Sequence, residues 1–383
     1  MFIYNSKDKE NTMAVYYLTI AALTGLGYYL TERLFPSERK TTFLYLSMSF
    51  LILTFLASFR YAIGFDYFSY RKIYENAASS TLCDTFSAHR YEPLFYLICR
   101  IFCLSGFSYP VFLLFVNCFL IFTAMRFIYS YSRVPWLSVY LFLTLQFLAY
   151  NMNLLRQSVA VCFFLLAYPC LKKQRLLRYS MLILAGGLFH NSLFLMWFLY
   201  FLLTRKHSKL FLVHITACTL LVYFLFDPIF SLVQPVLLRK HANYANSYYW
   251  QPDSFVYVIL PALYTGLAYL FGRKISDPAN RYICLNSALY QGLISLFVTK
   301  HFILERFAVY PFALALISIP EIVCAYREEN GDFQKKNKAD FRYFCVLFIF
   351  MGFGAAYFCF AAAKGFHGVY PYVSLLRRSR SAS

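Results

Sequence analysis

The chain has 383 residues, of which 60% are hydrophobic and only 14% carry a charge. This composition excludes an ordinary soluble globular protein and is typical of a polytopic membrane protein. The formal net charge of +19 does not by itself indicate nucleic-acid binding, because basic residues flank membrane spans and set their orientation. No basic run stands in a soluble module, so we predict no nucleic-acid partner.

The cysteines give no sign of a disulfide framework or a metal site. Most of the 11 lie inside or beside apolar runs, as small buried hydrophobic residues do. No Cys-x-x-Cys pair and no Cys/His spacing of a metal site occurs. We therefore predict no structural metal and no cofactor.

Long apolar segments follow one another along the whole chain, and no linker, repeat or soluble module interrupts them. We predict a single all-α integral membrane domain over residues 1–383 with about 10 full transmembrane helices. The candidate spans are Met13–Leu30, Thr42–Phe59, Ser108–Ser130, Pro135–Tyr150, Gln157–Leu171, Lys209–Phe226, Ser254–Phe271, Tyr282–Thr299, Phe307–Tyr326 and Tyr343–Ala363.

One further apolar segment, Tyr179–Leu203, is predicted to be re-entrant or to form a hairpin. It carries Gly186-Gly187 and His190-Asn191 at its centre, and both of its flanks are basic. A single crossing would place one basic flank on the wrong side of the membrane. A segment that turns back keeps both flanks on the cytoplasmic side and puts His190 at its tip.

This topology brings the polar residues between the spans to the outer side of the membrane. We expect two long outer loops, residues 60–107 and 227–253, to face the substrate. The first begins with Arg60, Asp66, Tyr67 and Tyr70, and on a helix Asp66 and Tyr70 would share one face. A juxtamembrane arginine within an interfacial belt of aromatic residues is the alternative interpretation of this stretch.

Arginines at membrane depth are costly and are therefore candidate functional residues. Arg156 lies between two apolar runs, three residues after Asn153. A guanidinium offers bidentate donors to phosphate oxygens and keeps its charge. With Arg60 and Arg306 on the same side, these cations could surround a diphosphate. Alternatively, each arginine merely extends to its nearest interface.

His190 is the best candidate for a proton acceptor, because imidazole titrates near neutral pH without special tuning. A lone histidine in an apolar run is otherwise a hydrogen-bonded packing residue. Asp66 and Glu92 are alternative bases, or they are salt partners of Arg60 and Arg90.

Four motifs in this order resemble the EpsG family of polysaccharide polymerases. They are Arg60-Tyr61-Ala62-Ile63-Gly64-Phe65-Asp66-Tyr67 with Tyr70, Glu92-Pro93-Leu94-Phe95-Tyr96, Asn153-Leu154-Leu155-Arg156-Gln157 with Ala160, and Phe189-His190-Asn191-Ser192. Arg306 with Tyr310 and the late Pro371-Tyr372 resemble the C-terminal features of that family. The resemblance covers nearly the whole chain.

The resemblance implies a Wzy-like enzyme of the bacterial cytoplasmic membrane. Such a protein joins oligosaccharide repeat units carried on undecaprenyl diphosphate and builds capsule, exopolysaccharide or O-antigen on the outer side, without metal. Arg156, Arg306 and Arg60 would then bind the departing diphosphate, and His190, Asp66 or Glu92 would deprotonate the acceptor sugar. We predict substrate contacts from Tyr67, Tyr70, Asn153, Gln157 and Tyr310.

Besides the lipid-linked glycan and membrane lipids, the pathway implies a flippase and a chain-length regulator as partners. Two other functions stay open. One is a different membrane glycosyltransferase, either an O-antigen ligase or an enzyme that uses a lipid monophosphate donor. The other is a transporter or flippase for the same lipid-linked glycan, which broken helices around Gly186 and His190 would suit.

Overall fold

The computed structural model describes residues 6–35, 38–79, 81, 83–84, 87, 92–232, 256–327 and 333–374. These residues form a helical bundle whose largest core cluster draws on helices from both ends of the chain. The α-helices are α1 (Ser6–Tyr28), α2 (Arg39–Ser58), α3 (Tyr67–Asn76), α4 (Pro93–Leu104), α5 (Tyr109–Tyr131), α6 (Pro135–Thr144), α7 (Phe147–Asn153), α8 (Leu155–Lys172), α9 (Leu176–Gly187), α10 (Leu199–Leu203), α11 (Lys209–Phe224), α12 (Phe226–Leu232), α13 (Val256–Phe271), α14 (Pro278–Leu296), α15 (Glu305–Ala313), α16 (Ala315–Cys324) and α17 (Phe333–Ala363).

The helices begin where the sequence supplies residues suited to a helix start. Prolines occupy a first-turn position of α4, α6 and α14, where the missing backbone N–H costs no intrahelical hydrogen bond. Asp277 caps α14 by accepting from the backbone N–H of Ala279 at 2.9 Å, and Ser208 caps α11 by accepting from Phe211 at 3.1 Å.

The predicted class, an all-α polytopic membrane protein, is confirmed, but the structure has fewer uninterrupted spans than the 10 we predicted. Within the described ranges, 6 helices are long and apolar enough to cross a bilayer. These are Met13–Leu34, Arg39–Ser58, Tyr109–Tyr131, Leu155–Lys172, Pro278–Thr299 and Asp340–Ala363. Two helix pairs, α11 with α12 and Phe302–Ala313 with α16, bend by 61° and 41° and bring the number to 8 if each pair is one span.

The prediction of a single span over Pro135–Tyr150 is wrong, because the helix breaks at Gln146. This residue has φ 70°, in the left-handed region, and separates α6 from α7. A left-handed residue ends a right-handed helix, and for a residue other than glycine it costs about 1–2 kcal/mol. The buried Gln146 side chain accepts a hydrogen bond from the Tyr370 hydroxyl at 2.6 Å, so the break gives the C-terminal segment an attachment point.

The segment Tyr179–Leu203 folds back on itself, as predicted. The α9 helix stops at Gly187, and a 3₁₀ helix, Asn191–Phe198, returns beside it. The Tyr179 hydroxyl donates to the Met196 carbonyl at 2.7 Å, while a Cβ added at Gly186 would lie only 2.5 Å from Leu193. The two halves are therefore antiparallel, the glycine pair allows their close approach, and His190 lies at the turn.

Candidate active site

The site begins at a seam between the segment that follows α2 and the C-terminal segment. Backbone N–H groups of Tyr61 and Gly64 donate to the carbonyls of Val373 and Gly368, each at 2.9 Å, and Phe65 donates to His367 at 3.2 Å. The segment that begins at Arg60 is thus held in place by backbone carbonyls of the C-terminal segment, about 300 positions later in the chain.

Gly64 is required where this seam meets the end of α7. Its φ is +95°, and an added Cβ would lie 2.8 Å from the Met152 carbonyl oxygen, closer than ordinary van der Waals contact. The close approach lets the backbone N–H of Asp66 donate to Asn153 Oδ1 at 3.0 Å. The seam therefore fixes the Asn153 side chain.

Arg60 stabilises the same junction from inside. It is 1% exposed and donates to the carbonyls of Ala57, Ile63 at 3.4 Å and Met152 at 2.8 Å. Hydrogen bonds from a charged donor are worth about 1.5–3 kcal/mol each. The guanidinium thus ties the end of α2 to the end of α7, rather than lining an accessible surface as a phosphate ligand would.

The first candidate cluster consists of Glu92, Arg156 and His190. Glu92 is 8% exposed, and its Oε1 lies 2.5 Å from His190 Nδ1, while its Oε2 accepts from Arg156 Nη1. Burial alone would raise the pKa of Glu92, but the hydrogen bond with His190 and the charge of Arg156 outweigh it and lower that pKa. Glu92 is therefore an ionised carboxylate between a histidine and an arginine.

The hydrogen bonds determine the tautomer of His190. An ionised carboxylate only accepts, so His190 Nδ1 carries the proton and Nε2 presents its lone pair. Nε2 is buried and has no hydrogen-bond partner in the part of the chain that the structure describes. Burial lowers the pKa of His190 although its hydrogen bond with Glu92 opposes the shift, and the charges of Arg306 and Arg156 add to the lowering. His190 is thus arranged as a neutral proton acceptor.

Arg156 is held by aromatic residues as well as by Glu92. Its guanidinium lies 5.7 Å from the centroid of the Tyr70 ring, and Nη1 lies 3.4 Å from the Tyr96 hydroxyl. Its Nε is buried without a hydrogen-bond partner among the described residues. The Arg156 guanidinium therefore has an N–H group left to donate to an anion near His190.

A second group surrounds Arg306 at the start of α15. The Arg306 carbonyl accepts from Gln157 Nε2 at 2.6 Å, and Ser192 Oγ lies 2.7 Å from the Tyr310 hydroxyl. These bonds tie α8 and the turn after His190 to α15. The Arg306 charge acts on Asp66 and on His367, and burial raises the pKa of Asp66 although Arg306 and Arg156 oppose the shift.

Arg306 lies in the wall of a cavity of about 480 Å³ next to the seam. The wall combines charged and polar residues with aromatic and aliphatic ones, and a site for an amphiphilic ligand has this mixture. The lining residues are Phe65, Asn153, Leu154, Tyr257, Phe302, Ile303, Glu305, Arg306, Lys364, Gly365, Phe366 and His367.

The predicted site residues thus fall into three groups. Glu92 contacts both Arg156 and His190, and Asp66 and Arg306 lie within electrostatic range of one or more of these three. Asn153 and Gln157 position neighbouring residues. The structure buries Arg60, Tyr67, Tyr70 and Tyr310, each at most 5% exposed, so they contribute packing and hydrogen bonds rather than open surface.

Three charged or polar residues of the cavity, Glu305, Lys364 and His367, were not predicted as site residues. Tyr150, whose hydroxyl donates to Glu305, was not predicted either. The available signal for His367 was its place between Gly365 and Gly368, four residues before the Pro371-Tyr372 pair that the sequence analysis did single out. Most of the predicted loop 227–253 and part of the loop 60–107 lie outside the described residues. Within the described ranges, no group of three or more His, Cys, Asp or Glu side chains is arranged to hold a metal ion.

Comparison with known proteins agrees with the resemblance seen in the motifs. The family model described as "EpsG family" matches residues 43–374, which is most of the chain. No curated protein and no solved structure matches significantly. The matched region contains every residue of the cluster and of the cavity, and the chain therefore belongs to the EpsG family, whose members are polysaccharide-polymerase-type membrane proteins.

Proposed function

We propose that this protein is a metal-independent polysaccharide polymerase that joins oligosaccharide repeat units carried on undecaprenyl diphosphate. The observation that supports the proposal most is a neutral histidine, His190, oriented by a carboxylate, Glu92, that also bonds Arg156. Arg306 lies within electrostatic range of the same ring. That arrangement contains a proton acceptor and fixed positive charge, the two groups that glycosyl transfer from a diphosphate requires. Family membership supports the polymer-forming class of reaction.

In the proposed reaction, His190 Nε2 removes the proton from an acceptor sugar hydroxyl. The hydroxyl oxygen attacks the anomeric carbon of the donor and forms the new glycosidic bond. The bond between that carbon and the diphosphate oxygen breaks, and the lipid diphosphate leaves with the electron pair. Glu92, already hydrogen-bonded to Nδ1, stabilises the imidazolium that forms.

Arg156 and Arg306 supply the charge that the departing diphosphate needs. Arg156 is hydrogen-bonded to Glu92, which is the partner of His190, and Arg306 lies within electrostatic range of His190. A fixed guanidinium stabilises developing negative charge without a proton transfer of its own. Arg60 has a different role in this proposal, because its donors are bound to backbone carbonyls of the junction.

Asp66 and Glu92 remain the alternative bases. Glu92 is poorly suited, since both of its oxygens are engaged and its pKa is lowered. Asp66 has a raised pKa and lies near both arginines, so it fits a role in balancing their charge before substrate arrives. Tyr70 positions the Arg156 guanidinium. The centroid of the Tyr67 ring lies 6.0 Å from the Arg60 guanidinium.

The proposed setting is the outer face of the bacterial cytoplasmic membrane, with a flippase and a chain-length regulator as pathway partners. Thiol labelling of intact cells tests this orientation in a variant without native cysteines. A cysteine at exposed Asn76 should react with an impermeant reagent, and one at exposed Arg175 should not. The reverse pattern would place the site on the cytoplasmic face.

The activity is tested with purified protein and the lipid-diphosphate-linked repeat unit of the same cell. Wild type should produce a ladder of longer glycans, and Arg156→Ala should not. Arg126→Ala, at an exposed position in α5, is the matched control and should keep the ladder. Transfer of one finished glycan to a different acceptor would support the ligase alternative, and movement across vesicles without a new glycosidic bond would support the transporter.

A further inference from the structure

The cavity beside Arg306 contains a second histidine whose hydrogen bonds differ from those of His190. His367 is 7% exposed and lies in a short 3₁₀ helix, Phe366–Gly368, just after the last span. Its Nδ1 lies 3.2 Å from Asn153 Nδ2. Its Nε2 is buried and has no hydrogen-bond partner in the described ranges, although the residue lines the cavity.

The orientation of the Asn153 amide follows from its other contact. Asn153 Oδ1 accepts the backbone N–H of Asp66 at 3.0 Å, so the oxygen points to the seam and the NH₂ group points to His367. An amide NH₂ only donates, and His367 Nδ1 must accept. The proton of the neutral ring is therefore on Nε2, which makes that atom a hydrogen-bond donor.

His367 stays neutral under physiological conditions. Burial lowers the pKa of His367 to about 3, and the charge of Arg306 acts in the same direction. A neutral ring with Nε2–H cannot accept a proton at that atom. It can donate one hydrogen bond to a ligand oxygen in the cavity.

The charges around His367 favour an anion. Arg306 and Lys364 both line the cavity, and among the lining residues that the structure describes Glu305 is the one carboxylate. Glu305 Oε1 accepts a hydrogen bond from the Tyr150 hydroxyl at 2.5 Å, which spreads its negative charge onto a buried partner. Two cations and a neutral N–H donor therefore line the cavity against one hydrogen-bonded carboxylate.

The rest of the lining is apolar and aromatic. Phe65, Tyr257, Phe302 and Phe366 line the same cavity, and the Tyr257 and Phe366 rings are stacked with centroids 5.9 Å apart. Free inorganic diphosphate would gain nothing from these side chains, whereas the first isoprene units of a lipid carrier would bury their methyl groups there.

We propose that this cavity binds the diphosphate group of a prenyl-diphosphate donor, with His367 Nε2–H donating to a phosphate oxygen and Lys364 and Arg306 compensating the charge. The inference rests on the proposed function, because it assigns the donor's diphosphate to a cavity adjoining the His190 cluster. It adds Lys364 and His367 to the residues that recognise the donor.

Binding of short prenyl diphosphates tests the inference without any polymerisation. Titration calorimetry on purified protein in detergent compares farnesyl diphosphate, farnesyl monophosphate, farnesol and inorganic diphosphate. Farnesyl diphosphate should bind most tightly. Inorganic diphosphate binding as tightly as farnesyl diphosphate would overturn the lipid assignment, and equal binding of farnesol would overturn the anion site.

Variants separate the histidine from the lysine. His367→Phe keeps an aromatic ring and removes the donor, and it should weaken farnesyl diphosphate binding about tenfold, as expected for loss of one charge-assisted hydrogen bond. Lys364→Met should weaken it by a similar factor. The matched controls are His214→Phe, an exposed histidine bonded within its own helix, and Lys300→Met, whose lysine pairs with Asp227. Both controls should bind as wild type does.

Two further variants keep the test valid if His367→Phe does not fold. His367→Gln retains an N–H donor and should bind farnesyl diphosphate more tightly than Asn153→Asp, the second variant. Asn153→Asp still accepts from the Asp66 backbone, but it would also accept from His367 and move the ring proton to Nδ1. That variant should lose diphosphate affinity although the ring is present. Unchanged affinity in folded His367→Phe and Asn153→Asp would overturn the inference.

The two proposals fail separately. If farnesyl diphosphate binds as described but no ladder forms from the repeat unit, the cavity assignment stands and the polymerase proposal is wrong. If the ladder forms normally in His367→Phe and its affinity for farnesyl diphosphate is unchanged, the polymerase proposal stands and the cavity assignment is wrong.

Discussion

Two buried histidines of the described residues, His190 and His367, differ in the residue bonded to Nδ1. That difference decides whether Nε2 accepts or donates a hydrogen bond. His190 faces the Glu92 carboxylate, so its Nε2 is a proton acceptor. His367 faces the Asn153 amide, so its Nε2–H is a hydrogen-bond donor. Arg306 lies within electrostatic range of both rings and disfavours their charged forms. In our two proposals, a histidine therefore removes the proton of the reacting hydroxyl at one position and binds an anion at the other.

This contrast predicts that His190 variants lower turnover most. His190→Gln keeps the size and a hydrogen-bonding group but provides no base, and loss of general base catalysis reduces kcat by about 10²–10⁴-fold. The matched change is His214→Gln on exposed α11, which should leave kcat unaltered. Ladder formation at a wild-type rate in folded His190→Gln would return this residue to a packing role.

Changing the partner of His190 should have the next largest effect. Glu92→Gln replaces the carboxylate by an amide, so that His190 would face an amide as His367 does. The change also removes the charge that stabilises the imidazolium. We expect kcat to fall about 10²-fold or more with a smaller change in KM. Steady-state kinetics check this, and a variant that changes only KM would contradict the orienting role of Glu92.

Arg156→Lys asks whether planar, bidentate donation is required. A lysine keeps the charge but not the fork geometry, so we expect it to recover at most about a tenth of the activity lost in Arg156→Ala. Arg126→Lys is the control at an exposed site. Full recovery by lysine would indicate that Arg156 only extends to the interface.

Substitutions in the cavity lined by Lys364 and His367 should affect KM more than kcat. Lys364→Met removes one cation from the cavity wall and should raise KM for the lipid donor by about tenfold. Initial rates over a range of donor concentrations measure the effect. An equal loss of kcat and of kcat/KM would instead place Lys364 with the transition-state residues.

The smallest predicted effect is a loss of stability when the seam, which includes His367 and contacts Asn153, is disturbed. Gly64→Ala forces a Cβ against the Met152 carbonyl at positive φ, which costs about 1–3 kcal/mol. Gly25→Ala is the matched control, because nothing lies within 4 Å of its added Cβ. Thermal unfolding in detergent should show a lower Tm for the first variant alone.

The sequence predicted those features that depend on local patterns. Apolar run length predicted the helices, and the Gly186–His190 stretch with its basic flanks predicted the hairpin. The arginine at the start of α8 and the histidine at the turn were recognised because polar residues at membrane depth are rare. Their contact through Glu92 was not predicted, since Glu92 is 98 positions from His190 and its contacts depend on tertiary packing.

The features missed depend on residues far apart in the chain. The break at Gln146 is held by Tyr370, 224 positions away, and nothing around Gln146 indicates a left-handed backbone. His367 meets Asn153 across 214 positions, and its donor tautomer depends on a third residue, Asp66. A single sequence carries no pattern for contacts of that kind. The burial of Arg60 was missed for the same reason, because its Met152 partner is 92 positions away.

The most direct test of the central claim counts products in one reaction. The protein is incubated with the lipid-diphosphate-linked repeat unit, and new glycosidic bonds and released prenyl diphosphate are quantified together. The account predicts one prenyl diphosphate released for each bond formed in wild type and neither product in His190→Gln. Glycan movement without release, or release without a new glycosidic bond, would contradict it.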